Sequence, residues 1–367
     1  MDDYSRPFFR AIAVTSLLVT ATALYLLKGD IMNALEVLLT DPLAITATGL
    51  FRALVFPGLL FISVVPLMAE WVERKFVARV QVRVGPLYVG GPEGLLQPVA
   101  DMFKLLFKEI IIPKNADRPI FLMAPVFAFV LGALPTIVIP YSPSMVIWNY
   151  GYGVLLFFAI LAFFPLDVLL AAWSSNNKYS FIGGLRALYQ QASYEIPIFL
   201  SALPAVMLAG SFRLADIAQA QSKVWFVFLA PVSAAVFFVS MLAEMERIPF
   251  DMPEADSELV SGWTTEYSGM AWGLYQFSIY VKMLAFAGIF VVFFLGGWTG
   301  PPVLPAVAWS LVKVSVVILV LLSTRAFWPR IRIDQLIRAG WGRLIPLAIL
   351  NILLLVLFQH YLPGVVG

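Results

Sequence analysis

The sequence contains no cysteine and a single histidine, His360, among its 367 residues. Without cysteine the chain cannot hold an iron–sulfur cluster through thiolates, and one histidine excludes a bis-histidine haem and a three-histidine zinc site. A Cys–His or Ser–His catalytic pair is also unsupported, because His360 lies near the C-terminus beside Tyr361 and Pro363. We therefore expect no metal site in this chain.

Charged residues are scarce as well. They make up 13% of the chain, whereas a soluble domain usually carries about 25%. Hydrophobic residues make up 61%, and the formal net charge is only +2. Glycine-rich phosphate loops and nucleic-acid-binding motifs are absent, so no nucleic-acid partner is expected. The composition excludes a water-soluble enzyme and predicts an all-α polytopic membrane protein.

Long apolar runs near the roughly 20 residues that cross a bilayer predict about nine transmembrane helices. The predicted spans are Phe8–Lys28, Gly49–Glu70, Pro119–Pro140, Gly153–Trp173, Glu195–Gly210, Val224–Ala243, Met270–Leu295, Ala306–Trp328 and Leu344–Tyr361. The first run has the early basic residues of a signal peptide, but Asp2, Asp3 and the lack of a clear cleavage site favour a retained helix. Prolines inside the runs are expected to tilt, bend or break several helices. They are Pro57, Pro66, Pro125, Pro135, Pro165, Pro204 and Pro231.

Basic residues are distributed unequally between alternate loops. One set of loops carries Arg74, Lys75, Arg79, Arg83, Lys104, Lys108, Lys114, Arg118, Lys178, Arg186, Arg247, Arg330, Arg332, Arg338 and Arg343. The opposite loops carry Lys28, Arg213 and Lys223. The positive-inside rule places the basic loops in the cytoplasm, with the N-terminus inside and the C-terminus outside. The first of these loops contains an amphipathic segment, Gly94–Ile112, which predicts a helix packed in the membrane interface or against a partner. The alternative is a solvated surface helix that packs on the protein itself.

The loop after the sixth predicted span is strongly acidic, with Arg247 as its one basic residue. Its carboxylates are Glu244, Glu246, Asp251, Glu254, Asp256, Glu258 and Glu266. Clustered carboxylates raise one another's pKa values and can pass protons along, which a proton relay requires. The alternative is helix capping, because Asp251 and Glu254 have capping-box spacing around Pro253. Capping leaves Glu244, Glu246, Glu258 and Glu266 unexplained.

Other ionisable residues lie inside or near the apolar runs, where a charge is costly and usually marks a pathway or a paired site. They are Glu70, Asp167, Glu195, Lys282 and Lys313. Composition alone leaves two hypotheses open. The chain is either a transporter with carboxylates along its path or the membrane anchor of an energy-converting complex whose redox centres lie in other subunits.

Four sequence blocks distinguish these hypotheses. The first is Glu73–Pro86 (ERKFVARVQVRVGP), continuing to Gly94–Asp101 and Lys104–Glu109. The second is Ser175–Ser180 (SNNKYS), followed by Gly183–Arg186 and Ser193–Glu195. The third is Glu246–Asp251 (ERIPFD) through Glu254, with Ser257–Gly262 and Thr265–Gly269, and the fourth is Pro329–Leu336 (PRIRIDQL). Together they resemble the H subunit (subunit 1) family of proton-pumping NADH:quinone oxidoreductase, respiratory complex I. The resemblance covers about residues 49–357, and the blocks occur in the family's order on the loops assigned to the cytoplasm.

The resemblance implies a subunit that joins the redox arm to the membrane arm, forms much of a quinone access tunnel and begins a carboxylate path toward the pumping subunits. Tunnel or interface positions carried over are Glu73, Arg74, Arg83, Asp101, Arg247, Asp251, Arg325 and Arg330. Acidic-path positions carried over are Glu195, Glu244, Glu254, Asp256, Glu258 and Glu266. Quinone is then the substrate, no cofactor is bound covalently, and iron–sulfur clusters belong to partner subunits on the cytoplasmic face. Other membrane-arm subunits and lipid complete the expected partners, in a prokaryotic plasma membrane.

The sequence departs from the family at three places. Ile279 stands where many members carry a glutamate, with Lys282 close by, and Asp256 stands where glutamate is common. Residues 1–48 form an additional helix and linker before a family-like domain over residues 49–367. Related complexes that use ferredoxin or a deazaflavin, and membrane-bound hydrogenases, contain similar subunits and remain alternatives. A stand-alone cation transporter is a more distant one.

Overall fold

The computed structural model describes residues 49–253 and 256–361. The predicted first helix, Phe8–Lys28, lies outside these residues, so the division at residue 48 stays a prediction. Within the described ranges, the secondary structure consists of helices, turns and loops.

The α-helices are numbered here in chain order. They are α1 (Gly49–Leu54), α2 (Leu59–Val80), α3 (Gln97–Phe107), α4 (Arg118–Ala133), α5 (Gly153–Leu161), α6 (Phe164–Ser174), α7 (Lys178–Ala209), α8 (Leu214–Ala220), α9 (Phe226–Leu229), α10 (Pro231–Glu244), α11 (Asp256–Leu259), α12 (Gly269–Phe294), α13 (Ala306–Phe327), α14 (Ile333–Ala339) and α15 (Ile345–Tyr361). Short 3₁₀ turns cover Pro92–Gly94, Leu134–Ile137 and Gly262–Thr264, and a π-helical turn covers Gly340–Leu344.

Seven segments of the described chain are long and apolar enough to cross a membrane. They are Gly49–Val80, Arg118–Ile137, Gly153–Ser174, Lys178–Ala209, Gly269–Phe294, Ala306–Phe327 and Ile333–Leu357. The predicted span Val224–Ala243 is interrupted at Ala230, which leaves the shorter apolar helix α10. The prediction of an all-helical polytopic membrane protein is confirmed, and the count of nine spans stays a prediction.

The prolines act differently from one position to another. Pro57, Pro165 and Pro231 lie at or beside breaks between consecutive helices, where a missing backbone N–H leaves no intrahelical bond unmade. Pro135 lies in a 3₁₀ turn. By contrast, α2, α4 and α7 continue through Pro66, Pro125 and Pro204, so the helix is not broken at these positions.

Helix α12 forms the centre of the molecule. Of its most apolar window, 89% is buried, compared with 22% for Gly49–Val80 and for Ile333–Leu357. It packs against α2, α4 and α13, so a helix that is apolar around its whole circumference has a partner on every side. Gly132 of α4 allows a close approach, because a Cβ atom there would lie 3.2 Å from the Ser278 carbonyl oxygen of α12.

Helix α7 begins well before the predicted span at Glu195. Its first half contains polar residues that a hydropathy pattern assigns to a loop, yet Gln190, Gln191 and Ser193 are buried. Gln190 Nε2 donates a 2.7 Å hydrogen bond to the carbonyl oxygen of Ala243, at the end of α10. Neighbouring segments thus accept hydrogen bonds from the amide groups of Gln190 and Gln191.

Helix α3 is the amphipathic segment expected over Gly94–Ile112, although it is shorter. It packs against α2 and α12 and leaves Phe103 and Phe107 exposed. The helix is therefore confirmed, while its apolar exposed side identifies no particular partner.

Candidate functional site

A cavity of about 1120 Å³ lies among α2, α3 and α12, with contributions from α4 and the end of α13. We call it the large cavity. Its apolar lining comes from residues such as Leu67, Met102, Phe129, Leu274 and Phe277. Its charged lining includes Glu70, Glu73, Arg74, Arg83, Asp101, Lys104, Lys108 and Arg325. The cavity therefore contains Glu73, Arg74, Arg83, Asp101 and Arg325 of the tunnel positions carried over from the family.

Arg74 joins two of the helices that line the large cavity. On α2 it forms an ion pair with Glu70, one helical turn earlier, and it forms a second ion pair with Asp101 of α3. Gln97 Nε2 donates a 3.0 Å hydrogen bond to the other oxygen of Asp101. The guanidinium thus fixes α3 against α2 and places two carboxylates beside the cavity.

Glu73 is the buried acceptor at the end of the cavity nearest α13. Its carboxylate accepts hydrogen bonds from Arg247 Nη1 at 2.7 Å, from Tyr280 Oη at 2.9 Å and from Arg325 Nη1. The Arg247 guanidinium also lies over the Tyr280 ring, 4.8 Å from its centroid. Burial opposes the charge of Arg247, but Glu73 and Tyr280 outweigh that effect and raise the pKa of Arg247. Arg247 itself lies outside the described lining of the large cavity, and it affects the charge of that lining through its ion pair with Glu73.

Asp251 and Arg330 form a separate contact. Arg330 Nη2 donates to Asp251 Oδ2 at 2.8 Å, and the Ile331 backbone N–H donates to the Pro249 carbonyl oxygen at 3.1 Å. These bonds attach the segment after α10 to the segment after α13. Asp251 and Arg330 both lie outside the described lining of the large cavity. The structure therefore shows this pair as a contact that holds two loops together.

A second, small cavity of about 40 Å³ lies on the opposite side of α12. Its polar lining consists of Asp167, Gln191, Glu244, Glu246, Trp263, Tyr275, Ser278 and Lys282. Lys282 Nζ donates a 2.6 Å hydrogen bond to the Glu244 carbonyl oxygen and lies 3.8 Å from Glu244 Oε1. The same ammonium lies 3.9 Å from the centroid of the Phe164 ring. An ammonium thus stands among three buried or partly buried carboxylates.

Glu246 is held in the small cavity by two donors. Gln191 Nε2 donates to Oε1 at 2.7 Å, and Trp263 Nε1 donates to Oε2 at 3.2 Å. Burial nevertheless raises the pKa of Glu246 above its usual value. Gly183 of α7 sets the position of Trp263, because a Cβ atom at Gly183 would lie 2.7 Å from the Trp263 backbone nitrogen.

The predicted acidic path is only partly assembled. Glu195 of α7 lies near enough to the buried Glu244 for their charges to interact. Glu258 instead pairs with Arg186 at 2.6 Å, and Glu266 accepts a hydrogen bond from Asn177 Nδ2. Both of these carboxylates stand outside the described linings of the two cavities. Glu254 and the side chain of Asp256 lie outside the described residues.

Sequence reasoning left several lining residues out of the candidate set. Glu70, Asp167 and Lys282 carried a usable signal, since each is an ionisable residue in or beside an apolar run. Glu246 belongs to the ERIPFD block. Tyr275 carried no such signal, because it is an aromatic residue in an aromatic-rich span. Ile279 does line the small cavity, and Lys282, one turn further along, is the charged residue that α12 contributes to that lining.

Comparison with known proteins adds an independent observation. A family model described as NADH dehydrogenase matches residues 53–356. The H subunit of NADH-quinone oxidoreductase from Bacillus cereus (strain B4264) is 45% identical over 293 residues, which are 78% of this chain and 87% of that protein. The H subunits from Geobacillus sp. (strain WCH70) and Geobacillus thermodenitrificans (strain NG80-2) are 43% and 44% identical. They cover 85% and 77% of this chain, and 93% and 86% of their own lengths.

Proposed function

The chain belongs to the NADH dehydrogenase family, in its H subunit group, and from this membership we propose that it is the membrane subunit that receives quinone in a proton-translocating NADH-quinone oxidoreductase. In this proposal the large cavity is part of the quinone access tunnel. The carboxylates around α7, α10 and α12 begin a proton path. The subunit itself carries no redox centre.

The observation that carries the proposal is the two-sided lining of the large cavity. A quinone has an apolar tail and a headgroup with two carbonyl oxygens, so its passage needs an apolar wall and a few fixed polar groups. Leu67, Phe129 and Phe277 supply the apolar surface, while Arg74 and Asp101 supply fixed polar groups. Its volume of about 1120 Å³ suits a ligand of that size.

The charges of this lining fit the chemistry of quinone reduction. Two electrons and two protons convert the quinone to the quinol, and negative charge develops on the headgroup oxygens before they are protonated. Arg74, Arg83 and Arg325 stabilise that charge by electrostatic attraction. The electrons come from a partner subunit, because this chain has no cysteine to hold an iron–sulfur cluster and such clusters belong to other chains of the complex.

Proton movement is assigned to the acidic residues. The buried Glu244 and the partly exposed Glu195 form the start of the path, and the segment that follows α10 carries Glu254, Asp256, Glu258 and Glu266. Arg186 and Asn177 hold Glu258 and Glu266 in the present arrangement. A rearrangement of residues 246–269 would release them toward the buried acids and couple the path to quinone reduction.

The partners follow from the same proposal. The basic loops face the cytoplasm, where the hydrophilic arm with its iron–sulfur and quinone-site subunits attaches, while the C-terminus lies outside. Val82, Tyr88 and Phe107 are exposed apolar residues of the region between α2 and α4 and supply contact area for such a partner. The exposed apolar sides of the outer helices face lipid or other membrane-arm subunits.

The central test is the replacement Asp101→Asn in the intact membrane complex. Without the charge, Asp101 no longer pairs fully with Arg74, so we expect the KM for a short-chain quinone to rise, or the quinone reduction rate to fall, about tenfold. Asp216→Asn is the matched control, because Asp216 is an exposed carboxylate on α8 that pairs with Arg213. Wild-type kinetics for Asp101→Asn in a fully assembled complex would overturn the tunnel assignment.

The electron donor is tested by gentle purification through a tag on this chain. Co-purification of iron–sulfur subunits that oxidise NADH and reduce quinone supports the proposal. Partners that accept electrons from ferredoxin or a deazaflavin, or that evolve hydrogen, would assign the subunit to one of the alternative complexes. Purification of this chain alone and free of iron would instead support the alternative of a stand-alone cation transporter.

A further inference from the structure

Tyr275 is a buried residue that the proposed function does not use. It lies on α12 with 1% of its surface exposed, and its hydroxyl makes no hydrogen bond of ordinary length and angle. A buried hydroxyl without a partner costs free energy, and phenylalanine would fill the same space without that cost. Packing therefore does not explain why position 275 carries a tyrosine and not a phenylalanine.

The Tyr275 side chain lines the small cavity together with other polar groups that lack hydrogen bonds. Asp167 Oδ1 and both carboxylate oxygens of Glu244 are buried without a hydrogen-bond partner. The titratable groups facing this space are Asp167 from α6, Glu244 from the end of α10, Glu246 from the following segment, and Tyr275 and Lys282 from α12. Lys282 supplies the positive charge of the group.

The dimensions of the small cavity suit water. A volume of about 40 Å³ admits at least one water molecule, which needs two to four polar partners. Asp167, Glu244 and Tyr275 supply unused donors and acceptors, and Lys282 contributes ammonium hydrogens. Water bound here would satisfy these groups and connect the Tyr275 hydroxyl to the two carboxylates.

On its other side, Tyr275 contacts a residue of the large cavity. The ring of Tyr267, which lines the large cavity, meets the Tyr275 ring edge-to-face with 5.0 Å between centroids. The two hydroxyls lie close enough for a long hydrogen bond between them. The Tyr267 hydroxyl lies 3.2 Å from the Ala171 carbonyl oxygen and 3.3 Å from Ser174 Oγ. The two tyrosines therefore lie in sequence from the large cavity to the small one.

We propose that Tyr275 transfers protons between the large cavity and the buried group of Asp167, Glu244 and Lys282, through water in the small cavity. In one transfer the Tyr275 O–H bond breaks as its proton passes through water to a carboxylate of Asp167 or Glu244. A new O–H bond forms on Tyr275 with the proton of the Tyr267 hydroxyl, which is replaced from the large cavity. Each tyrosine ends neutral, and one proton has moved. The inference rests on the proposed function, because that function supplies the proton movement.

The test is Tyr275→Phe in the intact complex, reconstituted in vesicles with NADH and a short-chain quinone. The variant removes one oxygen atom and keeps the ring. We expect the rate of proton translocation to fall about tenfold or more. A positioned proton-transfer group typically contributes a factor of about 100 to 10,000, so a tenfold loss is the smallest effect expected. The remaining activity should show a changed solvent deuterium isotope effect. The thermal unfolding midpoint should change little, since the ring is kept and the hydroxyl makes no well-formed hydrogen bond to the protein.

Tyr141→Phe is the matched control. Tyr141 is equally buried, its hydroxyl also has no hydrogen-bond partner, and its ring packs against Phe56 and Phe61 away from both cavities. The same chemical change should leave proton translocation at the wild-type level. Equal activity of Tyr275→Phe and wild type would overturn the inference, as would equal losses in the two variants.

Glu244→Gln separates this inference from the proposed function. If Glu244→Gln impairs proton translocation while Tyr275→Phe does not, the proton path stands and the role of Tyr275 is wrong. If both variants pump as the wild type does, the proton path through this subunit fails together with the inference. A loss in both, with Tyr141→Phe unaffected, supports the inference.

Discussion

Lys282 donates a 2.6 Å hydrogen bond to the backbone carbonyl oxygen of Glu244, which ties the middle of α12 to the last residue of α10. The carbonyl groups at a helix C-terminus carry partial negative charge, so an ammonium is favourable there. The same ammonium lies 3.8 Å from the Glu244 carboxylate. Lys282 thus balances two sources of negative charge in a place where water is largely excluded.

Removal of this balance should be costly. Lys282→Met leaves the buried Glu244 and Asp167 without their cation, and breaking a buried pair in this way costs about 3–5 kcal/mol. We expect a lower thermal unfolding midpoint and less assembled complex. The double variant Lys282→Met with Glu244→Gln should recover much of the lost stability, since no unpaired charge remains at the pair. A double variant no more stable than Lys282→Met would contradict the charge-balance argument.

The two arginines on Glu73 should differ in their contributions. The Arg247 side chain is 11% exposed and that of Arg325 is 52% exposed, although both donate to the same carboxylate. We expect Arg247→Gln to cost about 3–5 kcal/mol and Arg325→Gln about 1 kcal/mol or less, because water screens the exposed pair. Thermal unfolding of the two purified variants checks the order. Equal shifts of the midpoint would show that exposure does not control the strength of these pairs.

Glu246 predicts a pH dependence of stability with a definite sign. Burial raises its pKa in the folded state above the usual value of 4.5, so folding disfavours the ionised form. Its contribution to stability therefore declines as the pH rises from the unfolded-state pKa through the folded-state pKa. The midpoint difference between Glu246→Gln and wild type should move in favour of the variant as the pH increases from about 4 to 8.

Glu93 provides the opposite case for that experiment. The hydrogen bond and charge of Lys75 lower the pKa of Glu93, so its contribution is present above the unfolded-state pKa and is lost as the pH falls. The effect should be small because Glu93 is exposed. Glu93→Gln should become relatively less stable at higher pH. The same trend in both variants would mean that the burial of Glu246 does not set its pKa.

Gly183 tests the support of the small cavity. A Cβ atom at this position meets the Trp263 backbone at 2.7 Å, so Gly183→Ala should force apart α7 and the turn that carries Trp263, at about 1–3 kcal/mol. The Trp263 bond to Glu246 should weaken with it. Gly342→Ala is the control, since a Cβ atom there meets no other group within 4 Å. Thermal unfolding should separate the two variants.

The sequence predicted most helices because long apolar runs need no knowledge of their neighbours. It misplaced the start of α7, since Gln190 and Gln191 are buried by contacts with segments distant in the chain. Pro231 predicted a bend or break in the next span, and the structure has the break at Ala230, although Phe226–Leu229 and α10 form one apolar run in the sequence. Hydropathy reports the composition of a segment and not the partners that pack against it.

The residues of the candidate site also fall into those that the sequence predicted and those that only tertiary packing brings together. Glu73, Arg74 and Asp101 were found because their motif resembles a known family, and the structure places them around one cavity. Glu258 and Glu266 were grouped with Glu244 because they are near in sequence, but their contacts lie with Arg186 and Asn177. Asp167 and Tyr275 come to Glu244 from other helices, and such a meeting depends on tertiary packing.

Helix α12 separates the large and small cavities by its own thickness. Gly273, Gln276 and Tyr280 face the large cavity, whereas Tyr275, Ser278 and Lys282 face the small one. A helix with its side chains is about 10 Å across. At that distance, with an effective dielectric constant near 20, a unit charge on one side changes the energy of a unit charge on the other by about 1.7 kcal/mol. A headgroup that becomes negative in the large cavity would thus shift a protonation equilibrium behind the helix by more than tenfold, with no atom displaced.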